Sequence, residues 1–174
     1  MKTAFLPLGI FLVVMVILAI GLTLDPQVLP SPLIDKPAPD FSAPVLYQPS
    51  VQLTNKNLLG KVWLLNAWAS WCIACREDHA VLLEFSKSKT LMLVGLNYKD
   101  QDKEGQKWLA RFGNPYDVVL ADQDGRIGID FGIYGVPESF LIDKAGIIRY
   151  KHVGPLTPRV LHHQLLPLIH QLQR

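Results

Sequence analysis

The sequence predicts an α/β domain with a central mixed sheet flanked by helices. An apolar run over 62–68 and another over 91–97 enclose a segment with helical periodicity that extends to about residue 87. The two strands of such a β-α-β unit should be parallel, with a right-handed crossover. Residues 138–153 predict an antiparallel hairpin, because apolar runs flank the turn Lys144-Ala145-Gly146. The expected sheet is therefore mixed.

The remaining elements rest on shorter patterns. Thr157 is a suitable N-cap and Pro158 suits the first position of a final helix, which Pro167 should bend or shorten. Gly113-Asn114-Pro115 should end the helix that precedes it. In chain order, the other predicted elements are an N-terminal hairpin over 41–53, a helix over 102–112, a short strand over 118–121 and a polar turn over 122–125.

Residues 1–24 predict a membrane anchor with one transmembrane helix. Thr3–Leu24 contains no charged side chain, and this run at helical rise reaches about 33 Å, enough for a hydrocarbon core of about 30 Å. A cleaved signal peptide is the alternative, but the run is long for one and lacks a clear small-x-small cleavage site. Because Lys2 precedes the run and Asp25 follows it, the N-terminus should be cytoplasmic and the rest of the chain should lie outside.

A proline-rich segment follows the predicted anchor. Residues 25–40 contain five prolines, a composition that favours extended polyproline geometry, so we expect a tether there. Residues 41–174 are enough for one domain. The formal net charge is +2 with no basic run, so nucleic acid is not an expected partner.

The only two cysteines of the chain, Cys72 and Cys75, have C-x-x-C spacing at the junction between the first core strand and its helix. If Cys72 opens the helix, backbone N–H groups and the helix dipole stabilise its thiolate. Cys75 then lies one turn further in. This arrangement predicts a redox-active dithiol in which one sulfur attacks and the other resolves.

Three other interpretations of the cysteine pair compete with a redox dithiol. A structural disulfide that closes so short a loop would stabilise the fold little. Half of a zinc site would need further ligands, and there is no second cysteine pair. His79 could reach the same side of the helix, so a copper or zinc site of Cys72, Cys75 and a histidine stays open. Two inert core thiols are disfavoured by the flanking tryptophan and the position at the helix start.

Four motifs carry a resemblance to a known family. They are Leu65-Asn66-Ala67-Trp68-Ala69-Ser70-Trp71-Cys72, Gly95-Leu96-Asn97-Tyr98-Lys99-Asp100, Gly113-Asn114-Pro115 and Tyr134-Gly135-Val136-Pro137-Glu138-Ser139-Phe140-Leu141-Ile142-Asp143. The element order, with W-C-x-x-C after the first core strand, resembles the thioredoxin fold. The motifs, together with an N-terminal anchor, resemble the CcmG/DsbE family of membrane-anchored thiol:disulfide oxidoreductases of cytochrome c biogenesis over nearly the whole chain.

The resemblance implies a periplasmic reductase attached to the inner membrane. Such a protein takes electrons from a membrane donor of the DsbD or CcdA type. It reduces the Cys-x-x-Cys-His segments of apocytochrome c before haem attachment, alongside other cytochrome c maturation components. No cofactor is implied beyond the Cys72–Cys75 disulfide, and no metal is implied.

The resemblance also assigns roles to residues. Cys72 is the attacking thiol and Cys75 the resolving thiol. Asp78 and Glu138 are acidic residues that tune the active site, since acidic neighbours raise the energy of the thiolate-bearing reduced form and make a dithiol a better electron donor. On this basis, replacing Glu138 by Gln should raise the reduction potential.

A second group of positions is implied to bind substrate. Pro137 matches a cis-proline that lies beside the dithiol and pairs with the substrate backbone. The other implied substrate-binding positions are Trp71, Val136 and Glu138.

The sequence departs from the family pattern at the dithiol and before it. Ile73-Ala74 lacks the proline that is common between the two cysteines of the family, and Ala80 stands where a proline often follows the residue matched by His79. Both departures bear on the reduction potential, because residues around the cysteines tune thiolate stability. Asn66 occupies the place of the buried carboxylate of ordinary thioredoxins, so another acid or water must assist proton transfer. Three other functions stay open: a general thioredoxin-like periplasmic reductase, a copper metallochaperone, and a module that holds apocytochrome without exchange.

Overall fold

The structure is a computed structural model that describes residues 5–23 and 31–174. The chain divides into two units, Met1–Pro30 and Ser31–Arg174. The first unit contains one described helix, α1, over Phe5–Thr23, which is three residues shorter than the uncharged run that predicted the anchor. Within the two described ranges, no helix meets the combined requirement of length and apolarity for crossing a membrane. The predicted transmembrane helix is therefore not supported.

The second unit has an α/β architecture. Its strands are β1 Ser42–Val45, β2 Gln48–Thr54, β3 Trp63–Trp68, β4 Met92–Tyr98, β5 Val118–Asp122, β6 Glu138–Ile142 and β7 Ile148–Val153. Its α-helices are α2 Cys75–Ser86, α3 Asp102–Phe112, α4 Arg126–Asp130, α5 Pro158–Val160 and α6 Leu166–Gln173. A 3₁₀ turn covers Asn55–Leu58, and a π-helical turn covers Leu161–Leu165.

The strands form one mixed sheet in the order β2-β1-β5-β4-β3-β6-β7. Strands β3, β4 and β5 are parallel, whereas β6 is antiparallel to β3 and β7 is antiparallel to β6. The β-α-β unit and both hairpins are as the sequence predicts, and the thioredoxin-like fold is confirmed.

Strand β3 is the centre of the core because all of its residues are buried. Its side chains alternate between the two faces of the sheet. Leu64 and Trp68 join the apolar cluster that includes Leu82 of α2. Leu65 and its odd-numbered neighbours join the opposite cluster. Asn66 is even-numbered, so the alternation directs its side chain toward the α2 face.

Three parts of the domain differ from expectation. Residues 31–40, assigned to the tether, pack against the domain: the Asp35 N–H donates to Ile148 O and the Ala38 N–H to Gly146 O, each at 2.8 Å. Residues 25–30 of the predicted tether lie outside the described residues. Helix α4 was not predicted, because it is only one short turn. Pro167, which was expected to bend or shorten the final helix, does not shorten it: α6 continues from Leu166 to Gln173, and a π-helical turn over Leu161–Leu165 precedes α6.

Substitution of Leu65 tests whether β3 lies at the centre of the core. It is fully buried on β3, so Leu65→Ala should lower the free energy of unfolding by about 2–5 kcal/mol through lost burial and a residual cavity. Guanidinium unfolding of the full chain measures this. Leu59→Ala is the matched control, because Leu59 is 53% exposed and should change stability by about 0.5 kcal/mol or less. Equal losses in the two variants would contradict the assignment.

Candidate active site

The cysteine pair lies between the end of β3 and the start of α2. The two sulfurs form a disulfide with an S–S distance of 2.07 Å. Helix α2 begins at Cys75 rather than at Cys72 as predicted, because residues 72–74 form the turn that leads into it. The Cys75 N–H nevertheless donates to Cys72 Sγ at 3.1 Å. This N–H group at the start of α2 is therefore placed to stabilise a thiolate at Cys72 in the reduced protein.

Two exposed apolar residues flank Cys72 in the chain, whereas both cysteines are nearly buried. Cys72 is 6% exposed and Cys75 only 2%, whereas Trp71 is 57% and Ile73 85% exposed. The Trp71 indole N–H donates to Lys99 O at 3.0 Å, which holds the ring at the end of β4. Trp71 is therefore placed where a predicted substrate contact could occur.

The segment that enters β6 faces the attacking side of the pair. The Val136–Pro137 peptide bond is cis, as the resemblance implied. Val136 O lies 3.4 Å from Cys72 Sγ, and this half-buried residue puts its backbone next to the sulfur. Pro137 itself is buried, and its carbonyl accepts the Gly154 N–H. The predicted substrate-binding backbone therefore lies beside the dithiol.

Asp78 and Asn66 form a buried polar network beneath the cysteine pair. Asp78 lies three residues after Cys75 and is 1% exposed. Asn66 Nδ2 donates to Asp78 Oδ2 at 2.6 Å, and the Leu156 N–H donates to Asp78 Oδ1 at 2.7 Å. Tyr116 Oη donates to Asn66 Oδ1 at 2.7 Å. Asp78 thus supplies a buried carboxyl group that is hydrogen-bonded to Asn66, the residue in the place of the buried carboxylate of ordinary thioredoxins.

Burial sets the protonation of this network. It raises the pKa of Asp78 from 3.8 to about 6, although hydrogen bonds from Leu156 and Asn66 oppose the rise. Burial also raises the pKa of Tyr116 well above its ordinary value, and the nearby Asp78 charge adds to the effect. Tyr116 therefore stays a hydroxyl donor, while Asp78 can take up or release a proton near neutral pH.

Glu138 occupies a different environment from the one predicted for a substrate contact. Its side chain is fully buried, and Oε1 accepts the N–H groups of Tyr134 and Gly135 at 3.2 and 3.3 Å. Lys151 Nζ lies 2.9 Å from its Oε2. The structure thus presents the Glu138 side chain to the protein rather than to a substrate, and its tuning role stays a prediction.

Asp100 is a site residue that the sequence did not single out, although it ends the Asn97-Tyr98-Lys99-Asp100 motif. Its carboxylate accepts the Ser70 N–H at 2.6 Å and the Ser70 hydroxyl at 2.8 Å. It also accepts from Asn97 Nδ2 and from the Gln101 N–H. Asp100 therefore fixes the segment that leads from β3 to Trp71 and Cys72.

His79, the histidine considered as a third metal ligand, lies in the protein interior. It is buried, and its Nε2 contacts Gly113 O at 3.0 Å while its ring packs edge-on against Trp108. Burial lowers the pKa of His79, which favours the neutral ring. Across the part of the chain that the structure describes, no group of three or more His, Cys, Asp or Glu side chains is placed to hold a metal ion.

Known proteins with this arrangement exchange disulfides. The Redoxin family matches residues 34–165. The thiol:disulfide interchange protein DsbE of Allochromatium vinosum is 46% identical over 172 residues, which cover 99% of this chain and 95% of that protein. The chain belongs to the DsbE family of thiol:disulfide interchange proteins.

Two further members support this placement. The DsbE protein of Escherichia coli K12 is 44% identical over 174 residues, covering 96% of this chain and 93% of that protein. A crystal structure assigned as DsbE of Chlorobium tepidum has a TM-score of 0.65 at 29% identity, covering 76% of this chain and 95% of that chain. This DsbE-family chain is a thiol:disulfide oxidoreductase with the C-x-x-C pair Cys72–Cys75.

Asp78 should make the stability of this DsbE-family domain depend on pH. Because its folded pKa of about 6 exceeds 3.8, the unfolded chain releases the proton first as the pH rises. The domain therefore loses stability between these values, by about 3 kcal/mol at 1.36 kcal/mol per pKa unit. Asp78→Asn removes this loss. Unfolding free energies of wild type and Asp78→Asn at pH 3.5 and pH 7 test the difference.

The control is Glu77→Gln, which removes the exposed neighbouring carboxyl and should retain the loss seen in wild type. Parallel pH profiles for wild type and Asp78→Asn would show that the Asp78 carboxyl is not coupled to folding in this way.

The Cys75 N–H that donates to Cys72 Sγ generates a second prediction. In reduced Cys75→Ser protein, where only Cys72 can react, the alkylation rate should reach half its maximum below pH 8.5, about the value for an ordinary cysteine. Adding Asp78→Asn should lower the midpoint further, because a buried negative charge opposes the thiolate. A midpoint at or above 8.5 would refute thiolate stabilisation.

Proposed function

We propose that this chain is a periplasmic reductant that reduces the disulfides of apocytochrome c Cys-x-x-Cys-His motifs before haem attachment. The buried carboxyl of Asp78, one helical turn from Cys75, is the observation that supports a role as electron donor. Above about pH 6 this group is an anion, which disfavours the thiolate-bearing reduced form. A dithiol destabilised in its reduced form is a better electron donor.

The proposed exchange uses the two cysteines in different roles. The Cys72 thiolate attacks one sulfur of the substrate disulfide, forms a mixed disulfide and releases the other substrate sulfur as a thiolate. Cys75 loses its proton and attacks Cys72 Sγ, which releases the second substrate thiolate and leaves the Cys72–Cys75 disulfide. The substrate gains two electrons and the domain loses two. Asp78 is the nearest described buried acid on α2 that could exchange the proton.

Substrate recognition is proposed at the surface around Cys72. The exposed ring of Trp71 and the Val136 backbone next to the sulfur support contact with an extended peptide. Pro137 lies in the same segment and would present its fixed backbone geometry to that peptide. An apocytochrome segment with its two cysteines close in sequence is a substrate of this form.

The proposed partners follow from this role. A membrane thiol donor of the DsbD or CcdA type would return two electrons to the Cys72–Cys75 disulfide after each turnover. A dedicated reductase is needed where thiols are otherwise oxidised, which supports a location on the outer face of the inner membrane.

Cell fractionation with thiol labelling of intact spheroplasts tests the location. A domain that the labelling reagent reaches only after lysis would contradict it.

A trapped intermediate tests the proposed substrate. Cys75→Ser cannot resolve the mixed disulfide, so it should accumulate a Cys72-linked complex with an oxidised apocytochrome Cys-x-x-Cys-His peptide. Non-reducing electrophoresis and mass spectrometry identify the linkage. Cys72→Ser is the control and should trap nothing.

Insulin provides the comparison for specificity. The wild-type reduced chain should reduce the apocytochrome peptide faster than it reduces insulin, by about tenfold or more if the surface discriminates. Equal rates would replace the dedicated reductase by a general thioredoxin-like reductase.

A further inference from the structure

A buried ion pair lies behind the segment that faces Cys72. Glu138 begins β6 and is fully buried, and the Lys151 side chain on β7 is only 8% exposed. Lys151 Nζ lies 2.9 Å from Glu138 Oε2, an ionic contact without the angle of a hydrogen bond. Lys151 Nζ also lies 5.2 Å from the Tyr134 ring centre and 5.1 Å from that of Phe140. Nearly all of this cation is therefore enclosed by protein.

The ion pair holds the backbone of the loop 132–137. Lys151 Nζ donates to Gly132 O at 2.9 Å, at the start of this loop. Glu138 Oε1 accepts the N–H groups of Tyr134 and Gly135, in its middle. Val136 O, near its end, is the atom 3.4 Å from Cys72 Sγ. Three backbone contacts of the loop thus depend on two oppositely charged side chains.

We propose that Lys151 is a positioning residue, which acts through Glu138 to hold the loop 132–137 in the place where it can pair with an extended substrate backbone. Lys151 does not touch the sulfurs, and its contribution is to compensate the buried Glu138 charge and to keep the carboxylate directed at the loop amides. Without the cation, the buried carboxylate loses its compensating charge and must admit water or move, and either change weakens the hydrogen bonds that it accepts from Tyr134 and Gly135.

The same pairing gives Glu138 a different role from the tuning role that the sequence suggested. A carboxylate with a cation 2.9 Å away presents little net charge to the dithiol. Glu138→Gln should therefore weaken peptide exchange more than it shifts the redox equilibrium. The inference rests on the proposed function only in assuming that peptide disulfides are exchanged at Cys72.

The experiment compares two disulfides of different size. One probe is a synthetic extended peptide with an oxidised Cys-x-x-Cys-His segment, which needs the loop backbone. The other is 2,2′-dithiodipyridine, a small disulfide that reaches Cys72 without it. Full-length Lys151→Met is tested against the conservative variant Lys151→Arg, and the redox equilibrium of each with glutathione is measured in parallel.

Lys151→Met should lower kcat/KM for the peptide by about tenfold, mainly through KM, because misplacing a positioning group weakens productive binding. Its rate with 2,2′-dithiodipyridine and its equilibrium constant with glutathione should stay within about twofold of wild type, since the cysteines and Asp78 are unchanged. The amides of Tyr134 and Gly135 should exchange hydrogen faster. Lys151→Arg should restore the peptide rate, because arginine keeps the cation.

Two results would overturn the proposal. One is an unchanged peptide rate with normal protection of the Tyr134 and Gly135 amides in Lys151→Met. The other is an equal loss with both probes, which would indicate general destabilisation. If Lys151→Met does not fold, the double variant Glu138→Gln/Lys151→Met removes the unpaired charge and is tested in the same way. Failure of the apocytochrome proposal would show instead as a lack of peptide preference in the wild-type protein.

Discussion

The antiparallel pairing of β3 with β6 brings the two halves of the active site together. Ala67 lies opposite Glu138 in this pairing, so the chain that leaves β3 toward Cys72 emerges beside the chain that enters β6 from Pro137. The cysteines and the loop 132–137 are about sixty residues apart in sequence, yet Cys72 Sγ contacts Val136 O. A change in this strand register by one residue would turn every β6 side chain to the other face and separate the two halves.

Two acidic residues near the dithiol illustrate how environment decides chemistry. Asp78 has only neutral hydrogen-bond donors as its described partners, and burial raises its pKa to about 6. Glu138 is equally buried but has a lysine cation against it. Asp78 is therefore suited to proton exchange and to disfavouring the reduced dithiol, whereas Glu138 is suited to holding backbone. Both residues are acidic, and the family resemblance gave them the same tuning role. Their different environments come entirely from their partners.

Sequence reasoning succeeded where a residue type limits the possibilities. Only two cysteines exist, and the apolar runs around them have the periods of a strand and a helix, so the redox centre and the β-α-β unit could be predicted. Sequence reasoning was less accurate at the first residue of a helix, which depends on backbone hydrogen bonding: α2 begins at Cys75 rather than at Cys72. It placed residues 31–40 in a tether because proline content describes backbone preference, whereas their hydrogen bonds to the final hairpin are non-local.

The sequence by itself determined the α/β class and the C-x-x-C chemistry, because both depend on residue type and local spacing. The candidate residues Asp78, Pro137 and Glu138 came from its resemblance to a known family. Only the tertiary structure decided what those residues contact. Lys151 attracts no attention in the sequence, since a lysine on a strand normally reaches solvent. Its role emerges because the β6–β7 pairing buries it against Glu138. Long-range pairing of this kind has no local signature, as it depends on which strands become neighbours after the chain has folded.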